Sequence, residues 1–412
     1  MARLTAWTSA AALLAAAAAP AHAQEKPAEK PKTLLEEIVL FGYVENSYTW
    51  NLGRTSQTSQ PAQPGFTTSD KVNSLRLYDI DEGYTFNMAE LSVKKDPSDK
   101  YPFGFGLVIT GGEDAQKNHA VGIFRDLTDA PRQTARGDLQ EAYLSYVVPL
   151  GSGLTVKAGK FATLIGYEVI ESPNNLNFSR SYLFIFAAPL THVGGLLSYS
   201  LTDWFSVTAG VVEGWDVADD NNRSASFTGQ FALTPLKDLT TNLNWIVGPE
   251  QNGNSGFNHP NSNNRWVTDL VVNYVGIKKV TLGLNVNVGG EQDEPNLAAT
   301  RRDADASWWG AAAYAAYDWT EKLRTALRVE YFRDTDGVRT FASVNGAGDK
   351  VGLWEATATA QYKIWKGLVG RVEYRHDDAS RDAFGIRRIG GVATPTRSGQ
   401  DTIALDLYYL FF

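Results

Sequence analysis

The chain has 412 residues, with 38 Lys and Arg against 46 Asp and Glu, five His and no Cys; its mean hydropathy is −0.26 and its pI about 5.3. Past the N-terminus no apolar stretch reaches the ~20 residues of a spanning helix, the lack of Cys removes disulfides, Cys-ligated metals and thiol nucleophiles, and a net charge of −8 opposes nucleic-acid binding, which depends on basic side chains neutralising phosphates. An aromatic share of 12% and 37 Gly favour strands and turns.

Residues 1–23 read as a secretory signal: Arg3 gives the positive start, Ala10 to Ala19 the short apolar run, and Ala21-His22-Ala23 an A-x-A cleavage site. Residues 24–37, charged and holding Pro27 and Pro31, read as a flexible periplasmic lead-in. From residue 38 to 412 apolar residues recur with period two, the mark of strands with one apolar face. Val280, Leu282, Leu284, Val286 and Val288 oppose Thr281, Gly283, Asn285 and Asn287; Leu323, Leu327, Val329 and Tyr331 oppose Arg324, Arg328 and Glu330; Leu368, Val372 and Tyr374 oppose Arg371, Glu373 and Arg375. Sixteen strands are expected, starting near residues 38, 84, 103, 138, 154, 191, 204, 224, 239, 265, 280, 307, 323, 351, 367 and 401. The second changes parity between Met88 and Leu91, which suggests a bulge, and Ala311 to Ala316 fit either face.

The links between these strands alternate in length. Seven are short turns such as Thr202-Asp203 and Lys363 to Lys366, and eight are long, among them Leu52 to Gly83, Thr163 to Leu190 and Asp377 to Gln400. An all-β transmembrane antiparallel barrel of about 16 strands, with short periplasmic turns and long extracellular loops, produces this alternation; a soluble sandwich has no reason to. Phe41, Phe103, Trp204, Trp319, Trp365 and Phe411-Phe412 gather at one set of strand ends, and Trp50, Trp266, Trp308, Trp309 and Tyr331 at the other, as two interfacial girdles. The last strand, Ile403 to Phe412, is similar to the aromatic C-terminal signal that outer-membrane proteins present to the barrel-assembly machinery.

Lys157 to Asp216, together with Asp138 to Tyr143 and the Gly42-Tyr43 pair, resembles the OmpL-like β-barrel porins of Gram-negative outer membranes. The resemblance extends from about residue 38 to the end and is strongest in the middle third. It implies a water-filled outer-membrane channel for passive diffusion of small hydrophilic solutes or ions, surrounded by lipid and lipopolysaccharide and open to homo-oligomer formation; it assigns no catalytic residue and no cofactor. Two other functions fit the same strands, a non-conducting structural or adhesive barrel and an outer-membrane hydrolase with a rim site at His192.

Enzyme and metal motifs fall short. Gly153 to Lys160 has the wrong spacing for a phosphate loop and Phe161 in place of Ser or Thr. Asp334 to Gly337 and Asp216 to Asn222 lack the twelfth-position Glu of a calcium loop. By parity the charges facing the lumen are Lys157, Arg324, Arg328, Glu330, Arg371, Glu373 and Arg375, either lining the pore or pairing across strands. The loop 163–190 holds Glu168, Glu171, Arg180 and six large apolar residues, Phe178, Tyr182, Leu183, Phe184, Ile185 and Phe186. Six such groups must pack somewhere, so the loop is expected to fold inward as a constriction. Strand numbering puts Glu168 and Glu171 opposite the arginines, giving a transverse field and a weak anion preference.

Overall fold

A computed structural model describes residues 33–53, 73–80, 82–123, 135–251, 262–294, 305–340, 349–385, 387–389 and 392–411. The expected signal at 1–23 and most of the 24–37 segment lie outside the described residues. The strands are β1 Val39–Asn51, β2 Gly83–Lys95, β3 Phe103–Gly111, β4 Gly137–Val148, β5 Leu154–Ala162, β6 Thr191–Thr202, β7 Phe205–Val212, β8 Ser226–Leu236, β9 Leu239–Pro249, β10 Asn264–Tyr274, β11 Val280–Glu291, β12 Ala306–Asp318, β13 Leu323–Asp334, β14 Val351–Trp365 and β15 Leu368–Ala379, then β16 Arg387–Ile389 and β17 Val392–Thr394, and finally β18 Gly399–Phe411. Each barrel strand pairs antiparallel with its neighbours, and β1 closes on β18 from Gly42↔Phe411 to Asn51↔Thr402. The result is a closed barrel of sixteen strands; β16 and β17 form a separate hairpin in the last long loop. Closure leaves no unpaired strand edge, the condition for crossing hydrocarbon.

Side-chain parity sets which face each residue takes. On β11, Leu282 and Leu284 are 36% and 37% exposed on the outer face, whereas Asn285 and Asn287 are 2% and 0% exposed inside. The Ala run of β12 follows the same rule, with Ala312, Tyr314 and Ala316 buried in the lumen and Ala313 and Ala315 outside. Beyond Glu45↔Met88 the β1–β2 register steps to Asn46↔Phe86, so Asn87 and Met88 both point inward and are buried. A second bulge, which parity does not reveal, skips Gln140 between Leu139 and Glu141 on β4 and buries both Gln140 and Glu141. Bulges re-aim side chains in this way.

Two expectations need correction. Trp308 does not join the outer girdle; it is buried inside, edge-on to Trp215 at 6.3 Å, because the β12 parity that exposes Trp309 turns Trp308 to the lumen. The end of the N-terminal segment is also not free. Leu35–Glu37 forms a 3₁₀ turn, and the Glu37 carboxylate meets Lys95 Nζ at 3.2 Å and accepts the Ser98 hydroxyl at 2.9 Å. This ties it to the turn after β2.

Candidate functional site: the loop across the lumen

The segment 163–190 leaves β5 and enters the barrel. Gly166 N–H donates to Asp269 on β10 at 2.9 Å, Tyr167 stacks on Tyr314 of β12 with ring centroids 4.2 Å apart, and the Glu168 carboxylate meets Arg328 of β13 at 2.7 Å. Glu171 then reaches β4, where Gln140 Nε2 donates to its carboxylate at 2.6 Å. The chain returns to β14 and β15, with Asn177 Nδ2 donating to Thr359 at 2.7 Å. An extended segment covers about 3.3 Å per residue, so a loop of this length has ample reach to touch opposite walls.

Strand carboxylates hold the loop by its backbone. Glu373 accepts the N–H groups of Phe178 and Ser179 at 2.7 and 2.9 Å, and Glu330 accepts those of Tyr182 and Leu183 at 2.6 Å each. These consecutive donors would otherwise be buried without partners, at a cost of about 1–3 kcal/mol apiece. Arginines take the carbonyls: Arg328 binds Ser179 O at 2.6 Å, Arg375 binds Arg180 O at 2.5 Å and Arg371 binds Ser172 O at 3.1 Å. Arg180 bonds within the loop, to the carbonyls of Phe178 and Ile170. The π-helical turn Leu183–Ala187 then packs Phe186 on Phe332 of β13 with centroids 5.9 Å apart, and the buried cluster continues through Ile165 of the loop to Leu196, Val212 and Ile246 on the far wall. The loop's apolar residues are thus what crosses the lumen.

Burial shifts the loop's own acids. Desolvation beside Glu141 raises the Glu171 carboxyl above the usual range, and desolvation with the Asp377 carboxylate raises the Tyr182 phenol well above its ordinary value.

The arrangement of charges differs from the expected pair of opposed walls. Glu168 does not face the arginines across water; it touches Arg328, since the loop traverses the lumen instead of stopping at its own side. Arg328 also binds Glu355 at 2.5 Å, Arg371 binds Glu45 and Asp406 at 2.9 and 2.5 Å, and Arg375 binds Asp377 at 2.7 Å. All three arginine side chains are 0–1% exposed. Arg324 sits apart at the periplasmic end, bidentate to Asp318 at 2.7 and 2.8 Å. Lys157 faces the lumen from β5, its Nζ 4.3 Å above the Tyr143 ring. The partners Glu45, Glu355, Asp377 and Asp406 were missed, although the β14 alternation Glu355, Thr357, Thr359, Gln361 against Ala356, Ala358, Ala360 announces one of them. Arg76, which bridges Asp79 and Asp377 at 2.7 and 2.5 Å, lies in a long loop where no period reports it.

His192 is buried, with Gly214 O at 2.9 Å from Nδ1 and the Thr163 hydroxyl at 3.1 Å from Nε2, so neither ring nitrogen is left for a substrate. Asp334 spends both carboxylate oxygens on the N–H groups of Gly337 to Thr340, and Asp220 caps Asn222 and Arg223. Among the described residues no His and acid group is placed to hold a metal ion.

The model of the family described as putative beta-barrel porin-2, OmpL-like, matches residues 37–411. Nothing among curated proteins matches the chain. Solved structures share the fold at low identity. The outer membrane channel DcaP of Acinetobacter baumannii aligns with TM-score 0.56 and 13% identity over 91% of this chain and 97% of that one. An anion-selective porin from Comamonas acidovorans gives 0.55 and 10% over 91% and 99%, and OmpT of Vibrio cholerae in a trimer form gives 0.52 and 12% over 91% and 99%. With a family match over almost the whole described barrel, closed sixteen-strand topology and a lumen crossed by its third long loop, the chain belongs to the OmpL-like β-barrel porins of the outer membrane.

Proposed function

We propose that the barrel passes small hydrophilic solutes by passive diffusion, without catalysis or cofactor, and that the loop 163–190 sets its bore. The observation carrying this reading is the fixing of that loop to the β13–β15 wall by Glu330, Glu373, Arg328, Arg371 and Arg375: a loop so held narrows the lumen at a constant width. The arginines then serve as anchors, and Glu168 belongs to the anchoring set. Deleting Ile170 to Phe178 should raise single-channel conductance in planar bilayers, and unchanged conductance in a folded variant would reject the role. A non-conducting barrel has the dense packing around Phe186 and Phe332 on its side; wild-type protein that inserts and carries no current would decide for it.

The same reading covers export and assembly. Residues 1–23 act as the cleaved leader, β18 as the strand offered to the barrel-assembly machinery, and lipid with lipopolysaccharide as the surroundings. Because the Vibrio cholerae protein similar in fold has a trimer form, a homo-oligomer is expected, and chemical cross-linking in native membranes tests it.

A further inference from the structure

We infer that solutes are selected on the wall formed by β2 to β6, by Lys157 beside Tyr143 and the Lys94–Glu141 pair, and that the class favoured is small anions. This rests on the diffusion reading and names the side chains that would act in it. Arg328, Arg371 and Arg375 are poor candidates because each is in contact with carboxylate oxygens and shut off from water, so their charge is cancelled where it stands. Lys157 is in the opposite position. It is half-buried on the lumen face, its ammonium lies over an aromatic ring, and among the described residues it forms no salt bridge. Lys94 is bound to Glu141 at 2.5 Å yet keeps 26% of its side chain exposed, against 0–1% for Arg328, Arg371 and Arg375.

Lys157 pairs with Leu196 on β6, and the next lumen-facing pair along the two strands is Gly159 and Gly194, with φ of +132° and +157°. A Cβ at either would run into the carbonyl oxygen of Ala142 or Val211, so no side chain can fill the space there. The loop approaches this wall at Glu171, which Gln140 holds. A solute that passes the loop on this side meets a cation with no carboxylate in contact, and that cation raises the local concentration of anions.

The test is the reversal potential of single channels in gradients of potassium chloride and of potassium acetate, for wild type, Lys157→Gln and Lys157→Arg. In both salts the anion-to-cation permeability ratio should fall about fivefold in Lys157→Gln, the factor that one unit charge at about 8 Å in water gives between ions of opposite sign, and Lys157→Arg should keep it. An unchanged ratio in a conducting Lys157→Gln channel overturns the assignment and leaves the diffusion reading standing. A wild type that passes potassium but neither chloride nor acetate overturns the anion preference, and a wild type without current overturns both readings. Heat-modifiable mobility on gels confirms that the variants are folded.

Discussion

Removing Glu330 and Glu373 should release the loop without opening the barrel wall. In Glu330→Ala the N–H groups of Tyr182 and Leu183 lose their acceptor; in Glu373→Ala those of Phe178 and Ser179, and the Thr359 hydroxyl, lose theirs. None of the arginine–carboxylate bridges is formed by these two residues, so neither change strands a buried cation. Two orphaned backbone donors of the loop per site, at about 1–3 kcal/mol each, make the docked loop less stable by about 2–6 kcal/mol per variant. At about 1.4 kcal/mol per tenfold, the undocked population rises by a factor of roughly 30 to 10⁴. Since the two anchors hold sites a few residues apart on one loop, their effects should be coupled rather than additive. Single-channel recordings should show long-lived higher-conductance states in each single variant and a larger mean conductance in the double variant. Folded protein with wild-type conductance and no added flicker would refute the idea that these carboxylates fix the bore.

Arg328→Met should destabilise the barrel by about 3–5 kcal/mol, because Glu168 loses its buried cation and Glu355 keeps only the longer 3.7 Å contact with Arg375; urea titration of refolding into vesicles reads this. Leu284→Arg, on the outer face of β11, should cost about 2–4 kcal/mol in the same assay, as for a cation at the bilayer midplane, and no loss would mean that this face does not meet lipid. Asp114, in the short helix α1 Glu113–Lys117, is buried, and desolvation, opposed by Lys117 and assisted by Glu45, pushes its carboxyl up to about 7. The docked helix therefore binds this proton more tightly than an undocked one, and docking weakens as pH rises from about 4 to 7. Hydrogen exchange at residues 113–118, corrected for the intrinsic pH dependence, should accelerate over that window, and Asp114→Asn should abolish the change.

How far the site could be read beforehand depended on which physical rule placed each residue. Strand faces follow a period of two, so the starts expected near 103, 154, 191, 239, 280, 323 and 351 coincide with the observed β3, β5, β6, β9, β11, β13 and β14, and Arg328, Arg371 and Arg375 turn inward as parity requires. Parity carries no information about what lies opposite. Arg328 looks like a free pore charge until the loop brings Glu168 onto it and β14 brings Glu355 beside it. Once Arg328, Arg371 and Arg375 are paired, the charge ladder loses its reach as a field and gains a different use: a guanidinium with its carboxylates satisfied still has N–H donors to spare, and Arg328 and Arg375 spend them on the carbonyls of Ser179 and Arg180. Carboxylates do the converse with the loop's N–H groups. A wall dense in both signs thus binds the backbone of an irregular segment at fixed points, which a purely basic wall could not do, since it would leave the donors of Phe178, Ser179, Tyr182 and Leu183 without acceptors. The excess of acid over base in the composition is therefore consistent with an interior in which carboxylates outnumber the arginines they hold, and the charge left to act on a solute is sought where pairing fails, at Lys157.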